Sequence, residues 1–469
     1  MATKRHNTSQ RGMAYVMAMV VLSLFLTLAG TFAAMTDLSG QVGKNAADLQ
    51  RANLAAESGL AFGVKIIRGV RLPSGTSPDE MIPRLSEALA DRLNGTANLN
   101  GGYVASSASV ISIPRIQIPD GSFDLRIVQS AEDDLTLEVH GFGCQAQQSI
   151  AVDLTIVTHP ANSAFSYGIA SLGPIILSGN AEILGKNALT DASIVSTSEG
   201  TAVSIDGSAV IDGDISSVGS ESTVVISGTP TIAGSQDPEV MAQHVHFGVE
   251  PPVFPTVDTS IFKPLATSVI DDTTDTSTSG AVFSNVVIKA GTNPTFSSDV
   301  TLNGVVYIEA PNIVTFSSKV TLNGLVATDD SNEPISSCKI SFSGQVEAYG
   351  VEVLPDTTEF QAVKALTGTF IAAPGFDVSF AGQFATVNGT IAADKLSFSG
   401  QAEGTVEGSV IGLSSESVSI DGHVSICIDR EDDADDTQDA GFVLPILLDV
   451  DSRTYREMEP AGSEFQQPT

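Results

Sequence analysis

Hydrophobic and polar positions change their rhythm several times along the chain. From Met13 to Met35 all 23 residues are uncharged and mostly apolar. At 1.5 Å rise per residue a helix of that length covers about 35 Å, enough to cross a hydrocarbon core of roughly 30 Å. Beyond it the apolar or Ala positions narrow to one face: Leu38, Val42, Ala46, Leu49, Ala52, Ala56, Leu60, Val64 and Ile67. Eight steps cover 29 residues, about 3.6 per step, which is the α-helical period. The two stretches read as one helix, Met13 to about Gly69, ending before Pro73. A helix that is apolar all round and then on one face is embedded first and packed second.

Residues 79–95, "DEMIPRLSEALADRLNG", place Leu85, Leu89 and Leu93 four residues apart with Gly95 as a stop, which predicts a short helix. From Ser122 to His159 the pattern switches to alternation in three runs, with "AEDD" and "GCQAQQ" at the turns between them. A small antiparallel meander packed on the long helix is therefore expected.

From about Phe165 a repeat takes over. "TFSSDVTLNGVVY" from Thr295 and "TFSSKVTLNGLVA" from Thr315 match at ten of thirteen positions, 20 residues apart. Their core, a polar residue, an apolar one, a small one and Gly, recurs at Gly344, Gly382, Gly400 and Gly422, and upstream at Gly179, Gly207 and Gly228. From Gly304 through Gly324 to Gly422 the spacings are 20, 20, 38, 18 and 22, the 38 reading as two turns, one poorly matched. One Gly per unit, β-branched and small residues, and no helical period predict a β-helix of about 20-residue turns. Each Gly is expected at a corner with positive φ, and the residue two before it is expected to point inward and stack on its counterpart.

Two stretches break the rhythm. Gly234–Gly280 holds five prolines and a Ser/Thr/Asp run, and is expected as an excursion from the repeat. Its His244-x-His246 would share one face of a strand, but no Cys or third His completes a ligand set, so no metal is expected. His140 and His159, alone on strands, are expected to be structural. The tail opens with seven acids in Asp429–Gly441. An EF-hand frame from Asp433 fails, because Thr437 and Gln438 stand where an acid and Gly are needed. A solvated acidic linker follows from that, with "FVLPILLDVDSRTYREMEPAG" docking as one further strand.

Charge narrows the partners. The 469 residues carry 22 basic and 55 acidic groups, net −33, which argues against nucleic acid or an anionic membrane surface as partner. Near the start the balance is local and opposite. Lys4, Arg5 and Arg11 precede the apolar run, and Asp37 is the first charge after it. The positive-inside rule then puts the N-terminus in the cytoplasm and the bulk of the chain on the other side. A removable secretory signal would have a shorter apolar core, of about 7–15 residues. Cys144, Cys338 and Cys427 give neither metal spacing nor a disulfide framework, and are expected as thiols.

The N-terminal region, "QRGMAYVMAMVVLSLFLTLAG" followed by "NAADLQRANLAAESGLAFG", resembles that of type IV pilins and type II secretion pseudopilins, and most of all the PilX-type minor pilins. The resemblance covers roughly the first 70 residues. It implies a basic leader (1–12) cut by a prepilin peptidase between Gly12 and Met13. It also implies inner-membrane anchorage and other pilin or pseudopilin subunits as partners. Major pilins carry Glu five residues into the mature chain, where this chain has Met17. That carboxylate pairs with a neighbour's amino terminus, so its replacement implies a minor or tip subunit.

The expected fold is therefore α+β: a pilin-like helix (13–69), a head with a short helix and a β-meander (70–160), and two β-solenoid blocks (161–233 and 281–428). Residues 234–280 form the insertion and 429–469 the acidic linker and C-terminal segment. The expected function is a membrane-anchored minor pilin or pseudopilin displaying a β-helix, with surface polysaccharide as a further partner. The alternatives are a surface adhesin or a bactofilin-like polymer-forming scaffold. A polysaccharide-degrading β-helix enzyme would need clustered Asp with a basic partner. Phe165–Ile428 has seven Lys and no Arg, and the tightest acid group, Asp206, Asp212 and Asp214, sits in turns. No catalysis and no cofactor are expected.

Overall fold

The computed structural model describes residues 9–131, 134–158, 160–430 and 439–458, with side chains from Tyr15 onward. The chain divides into two compact units: the chain up to Thr158 together with the part from Ile446 onward, and His159–Pro445. The second unit is thus an insertion between two strands of the first.

In the first unit α1 spans Ser9–Arg68, and Lys65 and Arg68 lie in its last turn, where cations offset the helix dipole. Every residue from Tyr15 to Ala47 is exposed. The stripe read from Leu38 onward therefore packs over its second half alone: Leu38, Val42 and Leu49 remain exposed. Ala52, Ala55, Ala56 and Ile67 are buried, with Gly59 and Gly63 between them. Small residues win here because the helix sits directly on strand backbone. A Cβ on Gly141 would lie 2.2 Å from the Ala52 carbonyl oxygen and 2.3 Å from the Ala56 nitrogen. Leu60 and Val64, expected on that face, are half-buried at its flanks.

α2, Pro78–Leu93, begins on Pro with Asp79 and Glu80 in its first turn, and buries Met81, Ile82, Leu85, Leu89 and Leu93. Five strands follow: β1 (Ala105–Ser106), β2 (Val110–Ile118), β3 (Gly121–Ala131), β4 (Asp134–Phe142) and β5 (Gln147–Val157). They form an antiparallel sheet in sequence order. β2 escapes the alternation rule because Pro114 interrupts it, and its register against β3 shifts between Ile113 and Ile116. The C-terminal strand, Leu447–Met458, adds to the far edge beside β5, pairing Leu447 with Val157.

The second unit is a stack of strands in parallel pairing, each strand facing its counterpart one repeat along. Three sets of strands recur. The first holds a column of inward side chains: Phe296, Phe316, Phe342, Phe380 and Phe398 stack in succession at 4.8, 5.0, 5.0 and 5.1 Å between ring centroids, their planes nearly parallel. Register carries the column on through Ile420, Leu177, Ile205 and Ile226. The second set includes Val300 beside Val320 and Ile183 beside Ile211. The third includes Val306 beside Val326 and Ile169 beside Ile194.

The order of layers differs from the expected two blocks. Ile175–Gly179 pairs with Thr201–Gly207 on one side and with Val418–Gly422 on the other. The chain therefore enters mid-stack, builds toward Thr223–Phe247, returns to the opposite end at Ser268–Ile270, and builds back to close beneath its own first layer. The 234–280 segment is consequently not wholly an excursion. Val245–Phe247 pairs with Ile215–Ser217, and Ser268–Ile270 with Val286–Ile288. Between these strands, Phe262 is fully buried in a cluster with Val195, Val305 and Tyr307, on the outer side of the third set. That covering explains why strands such as Val300–Ile308 end in unbroken buried runs.

Candidate functional site

The candidate residues fall in two regions, helix α1 and the corners of the parallel stack. Gly12 and Met13 fall inside α1. Met17 lies four residues further on and is 68% exposed. Among the described residues this is one helix long and apolar enough to cross a membrane, and none of its most apolar stretch is buried in the protein.

The nine predicted corner glycines fall into two corners. Gly179, Gly207, Gly228, Gly400 and Gly422 form one continuous ladder between the first and second strand sets, all with positive φ (75°, 102°, 88°, 74° and 95°). Gly304 and Gly324 pair with each other at a different corner, between the second and third sets, with φ 79° and 147°. Gly344 and Gly382 belong beside the first ladder but lie outside the left-handed region. Close approach requires Gly at both. A Cβ on Gly344 would meet the Ser318 carbonyl oxygen at 1.9 Å, and one on Gly382 the Gly344 carbonyl oxygen at 2.0 Å. The 20-residue step from Gly324 to Gly344 thus changes corner. The 38-residue step is a single layer, since Phe342 pairs with Phe380. Its extra length is the loop 349–368, which buries Val351, Leu354, Phe360 and Val363.

The lysines of the stack are consumed by pairing. Each of its seven lysines (Lys186, Lys263, Lys289, Lys319, Lys339, Lys364 and Lys395) lies within 4 Å of a carboxylate. Lys263 bridges Glu309 and Asp329, fastening the returning segment to the stack. Burial works against ionisation of Glu309, yet hydrogen bonds from Lys289 and Lys263 hold its carboxyl below the usual range. Burial, aided by the acceptor Asp329, pushes the Tyr307 phenol upward.

Asp206, Asp212 and Asp214 also have partners. Asp206 accepts from the Ser227 hydroxyl at 2.7 Å and Asp212 from the Gly185 N–H at 3.2 Å. The Asp214 carboxylate lies 2.7 Å from His244 Nδ1 and 3.4 Å from His246 Nε2. The structure thus joins the His pair to an acid 30 residues upstream of His244, which spacing along the chain does not reveal. Among the described residues no group of three His, Cys, Asp or Glu is disposed to hold a metal ion. His140 Nδ1 is 2.8 Å from the Ser149 hydroxyl; His159 and acidic residues 431–438 lie outside the described residues. The three cysteines form no disulfide, and burial raises the Cys427 thiol.

No family model matches the chain, and no curated protein sequence matches it. Among solved structures, the competence-associated pilin ComZ from Thermus thermophilus aligns over 88% of this chain and 97% of its own, at 11% identity and a TM-score of 0.23. A TM-score that low carries nothing about fold or function.

Proposed function

We propose that this protein is a membrane-anchored, pilin-like minor subunit whose parallel stack is a β-helix displayed outside the inner membrane. The observation that carries this reading is the division of α1. Among the described residues its apolar part, from Tyr15 to Met35, is exposed throughout, while Ala52–Ile67 seat backbone-close on an antiparallel sheet. Such a helix offers its first half to lipid or to other helices and keeps its second half as the spine of a head.

In this reading Gly12–Met13 is the bond a prepilin peptidase cuts, the N-terminus lies in the cytoplasm, and the subunit enters a pilus or secretion filament. Met17 assigns it a place at the tip or at initiation. A lone carboxylate in lipid costs several kcal/mol unless a neighbour's ammonium offsets it, and Met avoids the cost but offers no pairing. The bulk of the β-helix agrees, because about 260 residues on every subunit would crowd a shaft. In this reading the chain's work is assembly and display, not catalysis. Surface polysaccharide is the proposed ligand class of the displayed faces.

Quantitative mass spectrometry of sheared filaments tests the assignment. The chain should be present well below the main subunit. Finding it as the most abundant subunit would overturn the minor role, and its absence from filaments would overturn the assembly reading.

A further inference from the structure

The two ends of the parallel stack are finished differently. At the end made by residues 268–296, Phe283 lies edge-on to Phe296 at 6.1 Å, and Phe296 is 1% exposed. The loop in front of it is pinned, with the Thr276 hydroxyl donating to the Thr295 carbonyl and the Gly280 N–H to the Asp299 carbonyl. The inward column is closed there.

At the other end the same column stops in the open. Ile226 is in register with the fully buried Ile205 and Leu177, yet it is 40% exposed. Beside it lies a cleft of about 500 Å³ lined by Val224, Ile226, Met241, Val245 and Phe247. Phe247 is 50% exposed. Among the described residues Thr223–Gly228 pairs on one side alone, with Thr201–Gly207. The N–H groups of Thr223 and Thr229 point to that neighbour, so strand alternation turns the backbone groups of Val224, Ile226 and Gly228 toward the open side. An apolar cleft along an unpaired strand edge is the arrangement that takes an added strand.

Charge decides what kind of strand. Residues 219–250 contain Glu221, Asp237, Glu239 and Glu250 and no Lys or Arg. Residues 268–296, at the opposite end, contain Asp271, Asp272 and Asp275 and one basic residue, Lys289, which is already paired with Glu309. A second copy, docked by either end, would bring acid against acid. We infer that the open edge Thr223–Gly228 receives a short extended segment of a different polypeptide, apolar at alternate positions and flanked by basic residues, as one added strand of the stack.

The probe is a fluorescent peptide, Lys-Pro-Ile-Ile-Leu-Ser-Gly-Lys, which sets Pro174 and the stack's own Ile175–Gly179 strand between two lysines. Anisotropy with the full chain in detergent should show saturable binding in the micromolar range, weakening as salt is raised. Ile226→Asp and Phe247→Asp should each weaken it at least tenfold, while Val282→Asp at the closed end should leave it unchanged. The peptide N-methylated on alternate backbone amides should not bind, and this control is independent of how any variant folds. Absence of saturable binding overturns the inference, as does binding undiminished by both cleft variants or retained by the N-methylated peptide. A concentration-dependent dimer in sedimentation velocity that Ile226→Asp abolishes would make a second copy the occupant and overturn the partner named here.

Discussion

Glycine at a sharp corner answers two separate demands, a positive φ and room for a neighbouring backbone, and individual positions differ in which one rules. Gly400 has φ 74° and a single neighbour near a would-be Cβ, the Ala381 carbonyl oxygen at 3.3 Å. Gly324 has φ 147°, and the Gly304 carbonyl oxygen would lie 2.0 Å from its Cβ. Asn tolerates the left-handed region that β-branched residues resist. Gly400→Asn should therefore cost under about 1 kcal/mol and Gly400→Val about 1–3 kcal/mol. At Gly324 both substitutions should cost more than about 3 kcal/mol, because any Cβ clashes. Denaturant unfolding of the four variants checks this, and a mild Gly324→Asn would contradict the close-approach account. That a Gly was needed was legible from the apolar-small-Gly pattern. Which corner it served was not, since "TLNG" and "SFSG" share that pattern while turning between different strand sets.

Among elements, the inward Phe column and the C-terminal strand make different demands on energy. Phe342 is stacked on both sides and 2% exposed, so Phe342→Ala should cost about 3–5 kcal/mol. Phe247→Ala, on a half-exposed ring, should cost under about 1 kcal/mol by the same measurement. The C-terminal strand is fastened to its unit by Arg456–Asp153 and Arg68–Asp449, each at 2.9 Å. A hydrogen bond from Arg456 holds the Asp153 carboxyl below its ordinary value. Burial opposes the same shift at Asp449, but the Val450 N–H and Arg68 outweigh it. Carboxyls depressed on folding stabilise fully above their unfolded value, near 3.8, and lose that contribution as pH falls through the folded value. Both pairs are half-exposed, so each contributes under about 1 kcal/mol. Hydrogen exchange, corrected for intrinsic rates, should show a several-fold loss of protection in residues 447–458 between pH 5 and pH 3. Unchanged protection there would contradict the fastening. Helix α1 and the β3–β5 meander were legible because their periodicity is imposed by one-sided burial. The packed face of α1 was legible in part: Ala52, Ala56 and Ile67 are buried as expected, while Ala55, Gly59 and Gly63, which carry little hydrophobic signal, complete it.

At the scale of the whole molecule, the repeats announced a stack but not its circuit. Local strand patterns do not record that Val418–Gly422 closes against Ile175–Gly179, a pairing between opposite ends of the inserted unit's sequence. Nor does any spacing show that Leu447–Met458 returns to β5, since that pairing skips the entire inserted unit. The N-terminal helix was the plainest feature, and the proposed role rests on how it is processed. N-terminal sequencing of the membrane-extracted protein is the most direct test of that role. A mature chain beginning at Met13, with Gly12→Val left uncut at full length, is the result expected of a pilin-like subunit. A mature start near Met35 would make the apolar helix a discarded signal and contradict the account.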